Sequence, residues 1–546
     1  MKQLYSVIFP LALICTSCSS NNASNIDTTV NLSSQESIFD SFASYKEQSG
    51  IIKKHTDLRI YQIMVESFQD GDPNRNYDVG YGSSSHKGDL QGIINSLDYI
   101  KSLNMNAIWL TPIFESASIK GPKSKLDATG YFTRNYYKID RNFGDEDTLK
   151  ELVEKAHEKG IYVILDGVFG HFRDDIVNTS PTEKKISLTD KCIGSDFSFY
   201  KPLEHTLCTD FNDGGKSLEY FKELVEYYIK TYKIDGFRLD QAYQVPVEIL
   251  AVLRKTIEEV SENVDYINSE GKRVHPLGYV VGEIWANNQT IASAGYGNNG
   301  QIGLYSNFDW ALRYGLVQTL ATEEWGKQVH SARNIRDLMK YDELHFPSHA
   351  MPNFMVTNHD LVRFGDLIQR ANLQDSYWQR VHLALSFLAF VPSGPITNYY
   401  GEEIGQEVPN FDSKVSVMDY YDDHVSRDNG KIKDLSPKED QTKNLFSYLM
   451  KLRSEHDSLS NGKLNILKAN SDIFSVKKTN SNDCDFIYVM NISKEAKLIT
   501  ISKDIADKKK YVRLISQNGK PLSTNEDGEI QFTMEPLNFE LIKSTD

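Results

Sequence analysis

The sequence predicts a parallel eight-stranded α/β barrel, a (β/α)8 TIM barrel, with a short inserted domain after its third strand and an all-β domain at its C-terminal end. Three observations carry that expectation. From Leu58 onward, β-branched and aromatic runs alternate with amphipathic helical stretches. Three of those runs close on an acidic residue: GFRLD at 236–240, GEIW at 282–285 and NHD at 358–360. Beyond about Leu464 the texture changes to short alternating runs between Asn, Gly and Asp turns.

The first strand is LRIYQIMVESF (58–68), and DLQGIINSLDYIKSL (89–103) follows with apolar residues at helical spacing. NAIWLTPIF (106–114) is the second strand, DEDTLKELVEKAHEKG (145–160) a helix stopped at Gly160, and IYVILDGVF (161–169) the third strand. The irregular stretch that follows is too long for an ordinary connection, so an inserted domain is expected at about 172–212. Alternation resumes with a helix near 215–232, strand IDGFRLD, a helix near 246–262 and strand LGYVVGEIW at 277–285. The sixth unit is the faintest, with a strand near Tyr305–Trp310 and a helix near 331–340. NFMVTNH (353–359), a helix over 376–391, PITNYY (395–400) and a helix near 440–455 complete eight units, the number that closes a barrel. The barrel thus occupies 58–460, and DIFSVKK, DFIYVMNI, LITIS and EIQFTM suit a β-sandwich over 461–546.

Acidic side chains outnumber basic ones by 75 to 60, a formal charge of −15, which argues against a nucleic-acid partner. No protein partner and no organic cofactor are implied. At the N-terminus, Met1-Lys2 precedes an apolar run from about Leu4 to Ile14, far shorter than the roughly 20 residues that span a bilayer. A small residue before Cys18 resembles a bacterial lipoprotein signal over 1–18, with Cys18 as the lipidated residue. Residues 19–57 then read as a Ser/Asn/Thr-rich tether and N-terminal segment. The expected location is the bacterial cell envelope, with the membrane as partner through a lipid anchor. In an exported chain Cys192 and Cys208 would close a short loop as a disulfide, while Cys484 lies far away.

A barrel builds its chemistry at the C-terminal ends of its strands, where Asp240, Glu283 and Asp360 are expected to converge. Hydrolysis of an acetal with retention needs a carboxylate nucleophile and a carboxylic acid about 5–5.5 Å apart. Asp240 and Glu283, on adjacent strands four and five, fit those roles. Arg238 is two residues before Asp240 on the same strand and faces the same side, where its charge favours an ionised nucleophile. Glu283 has to stay protonated, which an apolar neighbour such as Trp285 promotes. Asp360 is left to grip sugar hydroxyls in the transition state.

GFRLD, GEIW and NHD, with DGVFGH at 166–171, resemble the four signature regions of the α-amylase family of glycoside hydrolases (family 13). NAIWLTPIF, GYF at 130–132 and GPITNYYGEE at 394–403 resemble further landmarks, so the likeness runs from about 58 to 460. It implies an α-glucan or malto-oligosaccharide substrate, with Asp240 as nucleophile, Glu283 as general acid/base and Asp360 as transition-state stabiliser. It also implies that Arg238 steadies the nucleophile, His171 and His359 bond sugar hydroxyls, and Tyr131 stacks on the sugar. Asp166, Asn358 and Arg363 would support the subsite. Three positions depart from the family pattern. Gly170 stands where the family usually has an Asn that binds calcium, and Tyr243-Gln244 replaces a Lys-His pair, placing both residues at the leaving or acceptor side.

DGDPNRNYD at 70–78 puts oxygen donors at alternate positions: Asp70, Asp72, Asn74, Asn76 and Asp78, with Asp89 completing the shell of a structural calcium. The same composition suits an Asx-rich turn without an ion. Two other functions remain open: a transglycosylase or disaccharide isomerase with the same chemistry, and a non-catalytic sugar-binding lipoprotein.

Overall fold

A computed structural model describes residues 29–32, 55–77, 79, 83–116, 125–192, 206–298, 300–408, 426–506, 510–516 and 519–545. Eight strands form one parallel sheet: β1 (Arg59–Ile63), β2 (Ala107–Leu110), β3 (Tyr162–Gly167), β4 (Gly236–Leu239), β5 (Tyr279–Gly282), β6 (Ser306–Asn307), β7 (Phe354–Met355) and β8 (Ile396–Tyr399). Their order is β6-β5-β4-β3-β2-β1-β8-β7, and a parallel bridge between Phe308 and Asn353 joins the two outer strands. The ring therefore closes. Helices bury the outer face of the strands and the strands' own inward side chains fill the ring, so both faces are buried and the strands read as continuous apolar runs.

The helices are α1 (Leu90–Ser102), α2 (Glu146–Glu158), α3 (Lys216–Tyr232), α4 (Val247–Glu262), α5 (Trp310–Leu320), α6 (Ala332–His345), α7 (Tyr377–Phe390) and α8 (Pro437–Glu455). Asp89 and Asp145 cap α1 and α2, and Ser436 with Glu439 forms a capping box on α8. Two expectations change. The first strand ends at Ile63, and Val65–Phe68 turns into a short helix. The sixth unit contains α5, which the sequence conceals because all its residues are buried and no polar face marks a period.

After β3 the chain forms a small antiparallel sheet from His171–Arg173, Thr206–Thr209 and Leu188–Thr189. Cys192 and Cys208 form a disulfide with Cα atoms 5.3 Å apart, and Cys208 pairs with His171 in the sheet. The C-terminal region packs a six-stranded antiparallel sheet against a three-stranded one made of Thr29–Leu32, Lys497–Ile501 and Ile530–Met534. Thr29–Leu32 runs parallel to the middle strand and buries Val30 and Leu32 in this core. That corrects the tether expectation for those four residues: two alternating apolar side chains in a polar stretch were too short a signal to read as a strand. Cys18 and the signal segment lie outside the described residues. Among the described residues no helix is long and apolar enough to cross a membrane.

Candidate active site

Strand register assembles the site. Arg238 stands opposite Asp166 on one side and Val281 on the other, and Leu239 opposite Gly282, so Asp240 and Glu283 leave adjacent strand ends side by side. The Asp240 N–H donates to the Gly167 carbonyl, and the Glu283 N–H to the Leu239 carbonyl, carrying the ladder one residue beyond the strands.

Three carboxyls share one guanidinium. Arg238, fully buried, donates from Nη1 to Asp166 at 2.9 and 3.0 Å and to Asp240 Oδ1 at 2.7 Å. Its Nη2 lies 3.0 Å from Glu283 Oε2. Trp109 lies against the guanidinium at 5.0 Å and donates its indole N–H to Asp166. One cation cannot compensate three buried anions, so protons are retained. Burial pushes the Glu283 carboxyl up to about 8, reinforced by Asp240 and Asp360 against the pull of Arg238. Burial likewise pushes Asp166 up to about 7. Asp240 Oδ2 is buried with no hydrogen-bond partner among the described residues, and His171 Nε2 lies 3.9 Å from it. The site thus holds a proton donor beside an oxygen left open for bonding.

Asp360 faces this pair from the end of β7. Its Oδ1 accepts from Arg427 at 2.7 Å, its Oδ2 lies 3.2 Å from His359 Nε2, and its N–H donates to Asn358. His359 Nδ1 is 2.7 Å from the Gln62 amide nitrogen, and its ring packs parallel to Tyr131 at 5.3 Å. The Tyr131 hydroxyl donates to Asp166 at 2.8 Å, so this ring is held before any sugar arrives. Trp285 stacks on Trp310 at 4.7 Å beside Glu283 and donates to the Tyr314 hydroxyl.

Residues 62–201 and 196–444 match the model of the alpha amylase catalytic domain. The chain belongs to the alpha-amylase family of glycoside hydrolases. It is 28% identical over 488 residues to Alpha-amylase 3 of Dictyoglomus thermophilum, covering 82% of this chain and 87% of that protein. A cyclomaltodextrinase of a Bacillus species is 27% identical, with 80% and 72% covered. Among solved structures, AmyP in complex with maltose is similar at 42% identity and a TM-score of 0.83, covering 91% of this chain and 98% of that one.

Within this alpha-amylase fold, Arg363, Gln244 and Tyr243, expected to bind or support the substrate, are engaged by the protein itself. Arg363 is fully buried, donating to Asp428 at 2.8 Å and the Tyr400 carbonyl at 2.7 Å over the Tyr399 and Tyr400 rings. It fastens the segment after β8 rather than a ligand. Gln244 is 3% exposed and folds back onto His171 and Gln241, while Tyr243, half-buried, donates its hydroxyl to Gln241. In the 70–78 loop, Asp89 already accepts from the N–H groups of Gly71, Asp72 and Gly92. Asp72 accepts from Asn74 and pairs with Arg75, Asn76 donates to Pro73, and Asp78 lies outside the described residues. These bonds shape the loop and bring the Arg75 guanidinium among its oxygen donors. No group of three or more His, Cys, Asp or Glu among the described residues is placed to hold a metal.

Gln62, Trp109 and Arg427 were not anticipated. Gln62 carried a signal, as the one uncharged polar residue in the buried strand RIYQI. Arg427 carried none: it lies far from every strand motif and reaches Asp360 only through the fold.

Proposed function

We propose that the protein is a retaining α-glycosidase that cleaves α-glucosidic bonds in starch-like glucans or malto-oligosaccharides through a covalent glycosyl-enzyme. The observation that carries this reading is the placement of Asp240 and Glu283 at neighbouring ends of β4 and β5 on one guanidinium, with burial driving Glu283 to hold a proton. Adjacent strands lie about 4.8 Å apart, which suits the roughly 5–5.5 Å carboxyl separation of retention rather than the wider gap of inversion.

In the first step Asp240 Oδ2 bonds to the anomeric carbon. The glycosidic C–O bond breaks, its electrons pass to the leaving oxygen, and that oxygen takes the Glu283 proton. In the second step Glu283 takes a proton from water, the water oxygen bonds to the anomeric carbon, and Asp240 leaves as a carboxylate. Asp360, with His359 beside it and Arg427 behind, bonds ring hydroxyls that tighten as the sugar flattens, and Tyr131 and His171 line the same subsite. The names of AmyP with maltose and of the alpha-amylase and cyclomaltodextrinase relatives support an α-glucan substrate. We also assign the N-terminus a tethering role, since residues 19–28 alone separate Cys18 from Thr29, a reach of about 36–40 Å when extended.

Maltoheptaose hydrolysis followed by proton NMR tests the reading. The first-formed reducing ends are expected as the α anomer, and Asp240→Asn is expected to lose turnover by roughly 10⁴-fold or more while keeping its fold and ligand binding. Initial β product, or near-normal turnover in Asp240→Asn, refutes it. Longer products appearing with time mark transglycosylation through the same intermediate.

A further inference from the structure

Helix α6 carries an acid where its core contact should be apolar. Ala332, Ile335, Met339 and Asp342 form its buried stripe, and Asp342 is 1% exposed. Its carboxyl lies within hydrogen-bonding reach of that of Asp309, which is also buried. Ionised carboxylates only accept, so two of them bond to each other through a proton held between them. Burial pushes Asp309 up to about 7 and Asp342 well above its ordinary range, in keeping with a retained proton. What faces the pair is neutral: the Asn288 amide and the Tyr296 and Tyr341 phenols, which burial and then these carboxyls push up. The positive groups of the flanking elements are engaged elsewhere. Arg313 is bonded to Glu324 and the Val356 carbonyl, Arg336 to Asp337, and the His345 and His349 rings to the Tyr341 and Tyr296 carbonyls. Arg333 and Lys340 are exposed.

Asp342 joins two chain segments that matter to the site. Its Oδ1 accepts from Asn288 Nδ2 at 2.6 Å. Asp309 Oδ1 caps α5 by accepting the Leu312 N–H at 3.0 Å, and the Asp309 N–H donates to the Asn353 carbonyl across the seam between β6 and β7. Asn288 follows Trp285 by three residues, and Asp309 immediately precedes Trp310. The two indoles, stacked at 4.7 Å with planes 3° apart, are therefore linked through one carboxyl, each by its own segment. Trp310 Nε1 has no hydrogen-bond partner among the described residues, so this ring depends on packing and on its backbone for its place. Trp285, half-buried, comes two residues after Glu283 and so stands on the side of the proton donor, where the departing sugar lies.

We infer that Asp342 and Asp309 are positioning residues for the leaving-group side: sharing one proton, they tie the Trp285 and Trp310 segments together so that Trp285 presents a fixed platform to the departing sugar. The inference rests on the hydrolytic reading for its purpose, whereas the shared proton is measurable without turnover.

The test compares intact wild-type enzyme with Asp342→Asn and Asp342→Leu. Infrared difference spectra of wild type against Asp342→Asn at neutral pH are expected to show one buried protonated carboxyl lost in the variant, while Glu283 and Asp166 cancel because both proteins carry them. Asparagine offers an N–H to Asp309 and an oxygen to Asn288, so Asp342→Asn is expected to keep the wild-type kcat/KM on maltoheptaose. Asp342→Leu is expected to lose ~3–10-fold, the worth of one aromatic stacking contact. In a Trp285→Ala background the same leucine is expected to cost nothing further, because it acts through a ring already removed. A full further loss there marks a general structural role and overturns the inference, as does unchanged kcat/KM in Asp342→Leu. So does Asp342→Asn as impaired as Asp342→Leu, the result of carboxylates that hold a cation instead of a proton. A difference spectrum without the carboxyl band overturns it whether or not Asp342→Leu folds. Inactive wild-type enzyme that shows the band would count against the hydrolytic reading alone.

Discussion

Glu283→Gln is expected to destroy activity and yet stabilise the protein, increasingly so as pH rises. Burial lifts the Glu283 carboxyl from its ordinary 4.5 to about 8, so the folded state binds this proton more tightly than the unfolded state does. Stability is therefore lost as pH climbs from 4.5 to about 8, at about 1.4 kcal/mol per pH unit. At pH 7 the cost is about 3 kcal/mol and above pH 8 about 5 kcal/mol, an upper bound because Asp166 shares Arg238 and the two protons leave in coupled steps. Glutamine mimics the protonated acid at every pH and escapes the cost. Urea unfolding of both proteins at pH 4.5, 7 and 8.5 measures this directly. The midpoints should nearly coincide at pH 4.5, and the variant should lead by ~2–5 kcal/mol at pH 8.5. A difference that does not grow with pH, or a variant less stable at pH 8.5, refutes a burial-raised acid at this position. The same proton predicts that wild-type kcat/KM falls about tenfold per unit above pH 8.

Removing residues 1–32 strips Val30 and Leu32 from the C-terminal core, at ~1.5–3 kcal/mol each, and bares the strand Lys497–Ile501. The truncated enzyme should lose several degrees of Tm, whereas removal of 1–28 alone should leave Tm unchanged. Treatment with EDTA should leave both Tm and activity unaltered, since Asp89 and Asp72 are already bonded to backbone and side-chain N–H groups. A Tm drop reversed by calcium would restore the ion to the 70–78 loop. Palmitate labelling that disappears in Cys18→Ser would support the tethering role, and its absence in the parent would remove it.

What was readable from the sequence follows from what is local. GFRLD, GEIW and NHD each carry a strand, its end and its acid within a few residues, so Asp240, Glu283 and Asp360 were legible before any coordinates. The amphipathic helices were equally plain, with α1 to α4 lying within two residues of their expected limits. Helix α5 was hidden by burial on every side, and Thr29–Leu32 by its brevity. Arg427 and Gln62 act at the site through contacts spanning 67 and 297 residues, which no local pattern encodes. Gln244 marks the boundary between the two: the sequence exposed it as a departure, but only the fold revealed that it faces inward.

The central claim is that Asp240 becomes covalently glycosylated while Glu283 handles the proton. Its most direct measurement is mass spectrometry of Glu283→Gln after incubation with 5-fluoro-α-maltosyl fluoride, whose good leaving group needs no acid. One glycosyl unit is predicted on the peptide carrying Asp240, and none in the Asp240→Asn, Glu283→Gln double variant. An adduct on another residue, or hydrolysis with no adduct at all, would contradict the assignment.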